Sequence, residues 1–81
     1  MPRKLSRRRI RLNPHAFWDR LSVLNMTQNL LADRAGITSG YVSLLVGGKR
    51  CPSPELRGRL MEILGVTDFH ELFIVEDCDE S

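Results

Sequence analysis

The residues that most constrain this fold are 27–49, TQNLLADRAGITSGYVSLLVGGK. Helical periodicity predicts two short helices here, at about 28–35 and 39–46, joined by a tight turn at Gly36. Thr27 and Thr38 each stand just ahead of a helix, where a hydroxyl accepts from first-turn amides. Leu31, Ala32 and Ala35 line the inner face of the first helix, and Val42 and Leu45 that of the second. Ala32 is small where the two helices must cross closely. Gly36 supplies a left-handed turn conformation at little steric cost, and Ile37 fills the hinge. The run 47–52, Gly-Gly-Lys-Arg-Cys-Pro, then reads as a loop.

The flanks supply the rest of a small core. RRIRLN (8–13) alternates charged and apolar residues, with Ile10 and Leu12 on one face, which is a short strand pattern. Asn13 and Pro14 end it and open a helix, as N-cap and first-position proline. That helix runs to about residue 24 with a stripe of Phe17, Leu21 and Leu24, and Trp18 beside the stripe covers the core edge. Ser53, Pro54 and Glu55 open a fourth helix, whose stripe is Leu56, Leu60, Ile63 and Leu64 and whose end is Gly65. Thr67 is expected to cap a short fifth helix carrying Phe69, Leu72 and Phe73. FIV (73–75) then reads as a second strand. RRIRLN and LFIVED carry opposite charge, so antiparallel pairing would set arginines near Glu76 or Asp77, each good pair contributing about 0.2–1 kcal/mol. A lone two-stranded ribbon is weak and has to pack on the first helix or on a second subunit.

Eighty-one residues make one small domain with a modest core. Hydrophobic content of 42% is ordinary for a globular chain, and no apolar run approaches the ~20 residues that cross a bilayer. The basic N-terminus lacks the apolar stretch of a signal peptide, so a cytoplasmic, nucleoid-associated location is expected. The net charge of +2 hides an asymmetry: residues 1–12 hold six bases and no acid, 13–75 hold six of each, and 76–81 hold four acids and no base. The expected organisation is a basic disordered arm (1–8), a folded domain (9–76) and an acidic tail (77–81). Cys51, Cys78, His15 and His70 lack the spacing of a zinc site and read as incidental thiols and surface or cap histidines. No nucleophile–base pair or phosphate-binding glycine loop is visible, so neither catalysis nor a cofactor is expected.

The two helices and their turn have the layout of a helix-turn-helix, which projects its second helix into the DNA major groove. More specifically, the chain resembles the Cro/Xre-type, lambda-repressor-like family. The matching elements are Thr27-Gln28, Leu31-Ala32, Ala35-Gly36-Ile37-Thr38, Val42-Ser43, Leu45, Gly48-Lys49, Pro52-Ser53 and Leu64-Gly65-Val66. They span about residues 14–73. The resemblance implies an all-α, five-helix bundle, double-stranded DNA as partner, a homodimer that regulates transcription, and DNA contacts at Gln28, Ser39, Gly40, Ser43 and Lys49.

Physical chemistry agrees with that implication. Gln28, Thr38 and Ser39 lie at helix N-termini, where orphan amides and the dipole favour a phosphate. The Tyr41 hydroxyl suits a phosphate or base edge, although its ring can instead pack over the preceding helix. Leu44 suits a thymine methyl, and Lys49 and Arg50 can reach the backbone across the groove. Arg3, Lys4, Arg7, Arg8, Arg9 and Arg11 form an arm suited to a narrow minor groove, and Arg9 and Arg11 have the acidic tail as a competing partner. One departure stands out. The outer face of the third helix lacks Arg, Asn, Gln and Lys, the residues whose bidentate base contacts give about 1–3 kcal/mol of discrimination each. The expectation is a sequence-specific regulator with residues 39–46 in the major groove. Two alternatives stand beside it: a protein-interaction module of the same fold, antitoxin or adaptor, using Tyr41, Leu44 and Val46, or a DNA-coating protein of low specificity.

Overall fold

The computed structural model describes residues 7–78. In chain order the elements are β1 (Arg7–Leu12), α1 (Pro14–Val23), α2 (Gln28–Ala35), α3 (Ser39–Val46), α4 (Pro54–Leu64), α5 (Phe69–Leu72) and β2 (Phe73–Cys78). The chain is mostly helical, with one small antiparallel sheet.

Each helix starts on a polar side chain that accepts from its first turn. Asn13 Oδ1 takes the amides of His15 and Ala16, and Pro14 follows at the position where a missing N–H costs nothing. Thr27, Thr38 and Ser53 accept from Leu30, Tyr41 and Leu56. The fifth cap is Asp68, not Thr67: its carboxylate accepts from His70 at 3.1 Å, so α5 begins one residue later than expected and is only 4 residues long.

Two helices end alike. Gly36 and Gly65 adopt φ of +74° and +68°, which lets Ile37 and Val66 bond back to the carbonyls of Ala32 and Met61. Each end also receives an arginine from a distant helix. Arg59 donates to the Ala35 carbonyl at 2.9 Å, and Arg20 places two N–H groups on the Leu64 carbonyl. Cations at these points match the negative ends of the helix dipoles.

The core draws on every element: Leu12 from β1, Phe17 and Leu21 from α1, Leu31 and Ala35 from α2, Val42 and Leu45 from α3, Leu60 and Leu64 from α4, Leu72 from α5 and Phe73 from β2. No polar side chain is buried among the described residues. Leu24, expected in the α1 stripe, instead follows the last turn and is 37% exposed. Trp18 sits at the edge, 44% exposed, with its ring edge-on to Phe17 at 5.1 Å.

β1 and β2 pair from Arg7↔Cys78 to Leu12↔Phe73. The ribbon therefore takes in Arg7 and Arg8, assigned above to the arm, and Asp77, assigned to the tail. Leu12 and Phe73 bury one face of its inner end. Arg11 Nε meets Glu76 Oε2 at 2.9 Å, a diagonal pair rather than a directly opposed one. Both groups are partly solvated, so the pair contributes about 0.2–1 kcal/mol.

Candidate nucleic-acid interface

α2 and α3 are locked by one side chain. Gln28 Nε2, on the first residue of α2, donates to the Ser39 carbonyl at 3.0 Å, the Ser39 hydroxyl at 3.2 Å and the Ser43 hydroxyl at 3.0 Å. The backbone carbonyl can only accept, so this contact fixes which way round the amide lies. The two serines accept from Gln28, and each keeps its own hydroxyl hydrogen to donate elsewhere. Sequence reasoning gave the Gln28 amide to a phosphate. Its nitrogen is instead turned to α3, where it sets the spacing of the two helices and the polarity of the serines.

The outer flank of α3 is Gly40, Ser43 and Leu44, all exposed, with Ser39 half-buried beside them. Leu44 is 39% exposed. Tyr41 and Val46 fall at the margins, half-buried and packed on the core. Tyr41 lines an open hollow with Ile37, Thr38, Ser53, Leu56 and Arg59. Thr38 accepts from the Tyr41 amide as the cap of α3. A Cβ on Gly40 would meet only the Thr38 hydroxyl, at 3.9 Å. Nothing inside the domain asks for glycine there.

α3 ends in a cationic loop. Gly48 adopts φ +76°, and Lys49 and Arg50 both bond back to the Leu44 carbonyl, at 2.9 and 3.2 Å. Their side chains are exposed at the negative end of the α3 dipole. Arg9 reaches this loop from β1, with Nη2 donating to the Gly48 carbonyl at 3.2 Å. Sequence reasoning set Arg9 in the basic arm, with the acidic tail as its competing partner, and did not join it to this loop. The alternation of RRIRL sets Arg9 and Arg11 on one face, but only the fold reveals which loop that face meets. Arg8 is exposed on β1, and Arg7 belongs to the same strand. Arg3 and Lys4 lie outside the described residues.

Cys51 is an exposed free thiol. Among the described residues, no group of three His, Cys, Asp or Glu side chains is placed to hold a metal ion, and no helix is long and apolar enough to cross a membrane.

Searches of the curated proteins and of the solved structures gave no significant match. The helix-turn-helix family model HTH_3 matches residues 24–72, from the end of α1 through α5. The match contains the capped pair α2 and α3, the glycine elbow between them and the Lys49–Arg50 loop, and leaves both strands and α1 outside. With more than half its length in that match, the chain belongs to the Cro/C1-type, Xre-like helix-turn-helix family.

Proposed function

We propose that the protein is a DNA-binding transcriptional regulator that sets the outer flank of α3 into the major groove of a duplex. The observation that carries this reading is the Gln28 clamp. It ties α3 to α2 and takes the hydroxyl oxygens of Ser39 and Ser43 as acceptors, which leaves each hydroxyl hydrogen available as a donor. Lys49 and Arg50 then meet the phosphates beside the groove, and Leu44 is left to touch a thymine methyl. With no long polar side chain on the flank, base readout is narrow. Selectivity rests on hydroxyl donors, close backbone approach at Gly40 and the shape of the DNA.

The packing of Tyr41 and Val46 favours this reading over a protein-binding role, because it reduces the apolar patch expected on α3 to Leu44. A two-fold dimer, with α3 helices one DNA turn apart, belongs to the same reading. Phe73 is only 2% exposed and half-buried Phe69 has Arg57 over its ring, so α5 offers little to a second copy. The open edges of the β1–β2 ribbon are the surface we assign to the dimer. The reading also places the protein in the cytoplasm with the nucleoid, without catalytic activity or cofactor.

The test is selection of bound duplexes from a random pool, repeated with Lys49→Ala and Arg50→Ala. The wild-type chain should enrich a motif and bind it more than roughly 10³-fold tighter than random duplex at physiological salt. Binding without enrichment would replace the regulator by a coating protein. Absence of binding would remove the DNA reading altogether.

A further inference from the structure

Trp18 is the only tryptophan of the chain, and it lies on α1, outside the matched segment 24–72. It is 44% exposed, with its ring seated edge-on to the fully buried Phe17. Trp18 lines an open hollow with Leu21, Ser22, Met26, Thr27 and Gln28, where the end of α1 meets the start of α2. The turn that closes the hollow is fixed. Asn25 takes a left-handed φ of +54°, and the Met26 amide donates to the Leu21 carbonyl at 2.9 Å. Among the described residues, neither an acid nor a base lines this hollow. Gln28 is shared: it lines the hollow and also clamps Ser39 and Ser43 of α3. The hollow is therefore continuous with the outer flank of α3.

We propose that this hollow seats the sugar-phosphate backbone of the bound duplex, with the Trp18 indole packed on a deoxyribose. This rests on the DNA-binding reading above and deepens it by adding a contact from α1. Continuity chooses the occupant. A duplex laid along Gly40 and Ser43 meets Gln28 next, and Trp18 lines the same hollow as Gln28. The lining suits a sugar: Trp18, Leu21 and Met26 make it apolar, so the C–H groups of a deoxyribose leave water there. Its polar atoms suit the adjoining phosphate. The indole N–H is a donor only, and Thr27 accepts from the Leu30 amide, so its hydroxyl hydrogen also remains to donate to a phosphate oxygen. With no carboxylate in the lining, a phosphate is not repelled. Lys49 and Arg50 stand past the other end of α3, so the backbone is held beyond both ends of that helix. The contact positions the duplex without reading sequence. Trp18 carries no charge, so it adds affinity and leaves the salt dependence alone.

The experiment reads Trp18 directly, because it is the sole source of tryptophan emission in the full chain. Quenching by acrylamide is measured on the dilute chain alone and at saturation with a labelled random-sequence duplex, whose label reports binding separately. Titrations of Trp18→Ala across a salt series, below its melting transition, complete the test. The duplex should lower the quenching constant at least about twofold, because it covers a ring that is 44% exposed in the unbound chain. Trp18→Ala should bind roughly tenfold more weakly, at an unchanged slope of log K against log salt. The quenching measurement uses the wild-type chain, so it stands even if Trp18→Ala melts too early. A ring as open to acrylamide at saturation as without duplex would overturn the proposal. So would wild-type affinity in Trp18→Ala, or a shallower slope, which would mean that Trp18 only positions cations elsewhere. Protection that appears on concentrating the chain without duplex would give the hollow to a second copy and overturn it too. Each of these results leaves the regulator reading standing, whereas a wild-type chain that binds no duplex removes both.

Discussion

Gln28 and Ser43 meet across the glycine elbow, with the amide nitrogen of one 3.0 Å from the hydroxyl of the other. This contact ties the first residue of α2 to the middle of α3, and the same nitrogen reaches Ser39 a turn earlier. Truncating Gln28 to Ala removes all three contacts and frees α3 to rotate. The expected loss is about 0.5–1.5 kcal/mol, typical of partly solvated hydrogen bonds. In a domain of this size that lowers Tm by roughly 4–8 °C per kcal/mol. Gln28→Glu should be worse, because it aims a carboxylate at the Ser39 carbonyl and adds negative charge to the face proposed for DNA. Melting followed by circular dichroism and duplex titration together check this. A Gln28→Glu protein that melts and binds like wild type would show that the clamp does not govern α3.

Much of this arrangement is legible in the residues themselves. The caps Asn13, Thr27, Thr38 and Ser53, the elbow Gly36 and the stop Gly65 are local chemistry, and each stands where periodicity puts it. The antiparallel ends were legible from alternation and opposite charge. Long-range side-chain contacts were not. Arg9 on Gly48, Arg20 on Leu64 and Arg59 on Ala35 join positions 24 to 44 residues apart, and no spacing rule encodes them. Thr67 was mistaken for a cap because two adjacent residues both favour that role. Aspartate and threonine accept amide hydrogens alike, and only the start of the fifth helix decides between them.

Gly40 should separate stability from binding. It is exposed in the first turn of α3, and a methyl group there meets nothing closer than 3.9 Å. Glycine costs at most about 0.8–1 kcal/mol relative to alanine, the value for a helix interior, and less in a first turn. Gly40→Ala should therefore raise the melting temperature. The same methyl occupies the space into which a duplex backbone or base edge would press, so affinity should fall. A variant that gains stability and binds as tightly as wild type would place the DNA elsewhere on the molecule.

Gly36 should behave in the opposite way. Its φ of +74° lies in the left-handed region, where an L side chain costs roughly 1–2 kcal/mol. Space is not the constraint, since an added Cβ would lie 3.9 Å from the Arg59 guanidinium. Gly36→Ala should destabilise the domain by about that amount, and Gly36→Asn by less, because asparagine enters this region more readily. Chemical denaturation of the three proteins measures the order. Equal midpoints for all three would mean that the elbow relaxes to another turn.

Arg20 is expected to matter for folding and not for recognition. Its Nε and Nη2 both lie within 3.0 Å of the Leu64 carbonyl, closing the end of α4 beside Gly65. Arg20→Met keeps the length and apolar stem of the side chain while removing both donors. The loss should be about 1.5–3 kcal/mol, the range for hydrogen bonds to a charged group. That is a large part of the stability of a small domain. Below the melting transition the variant should bind DNA as wild type does, with the same salt slope, because a carbonyl holds this cation at the end of α4 rather than beside α3. Denaturant midpoints and duplex titration at low temperature separate the two effects. A lowered salt slope with an unchanged midpoint would reverse the assignment and move Arg20 into the interface.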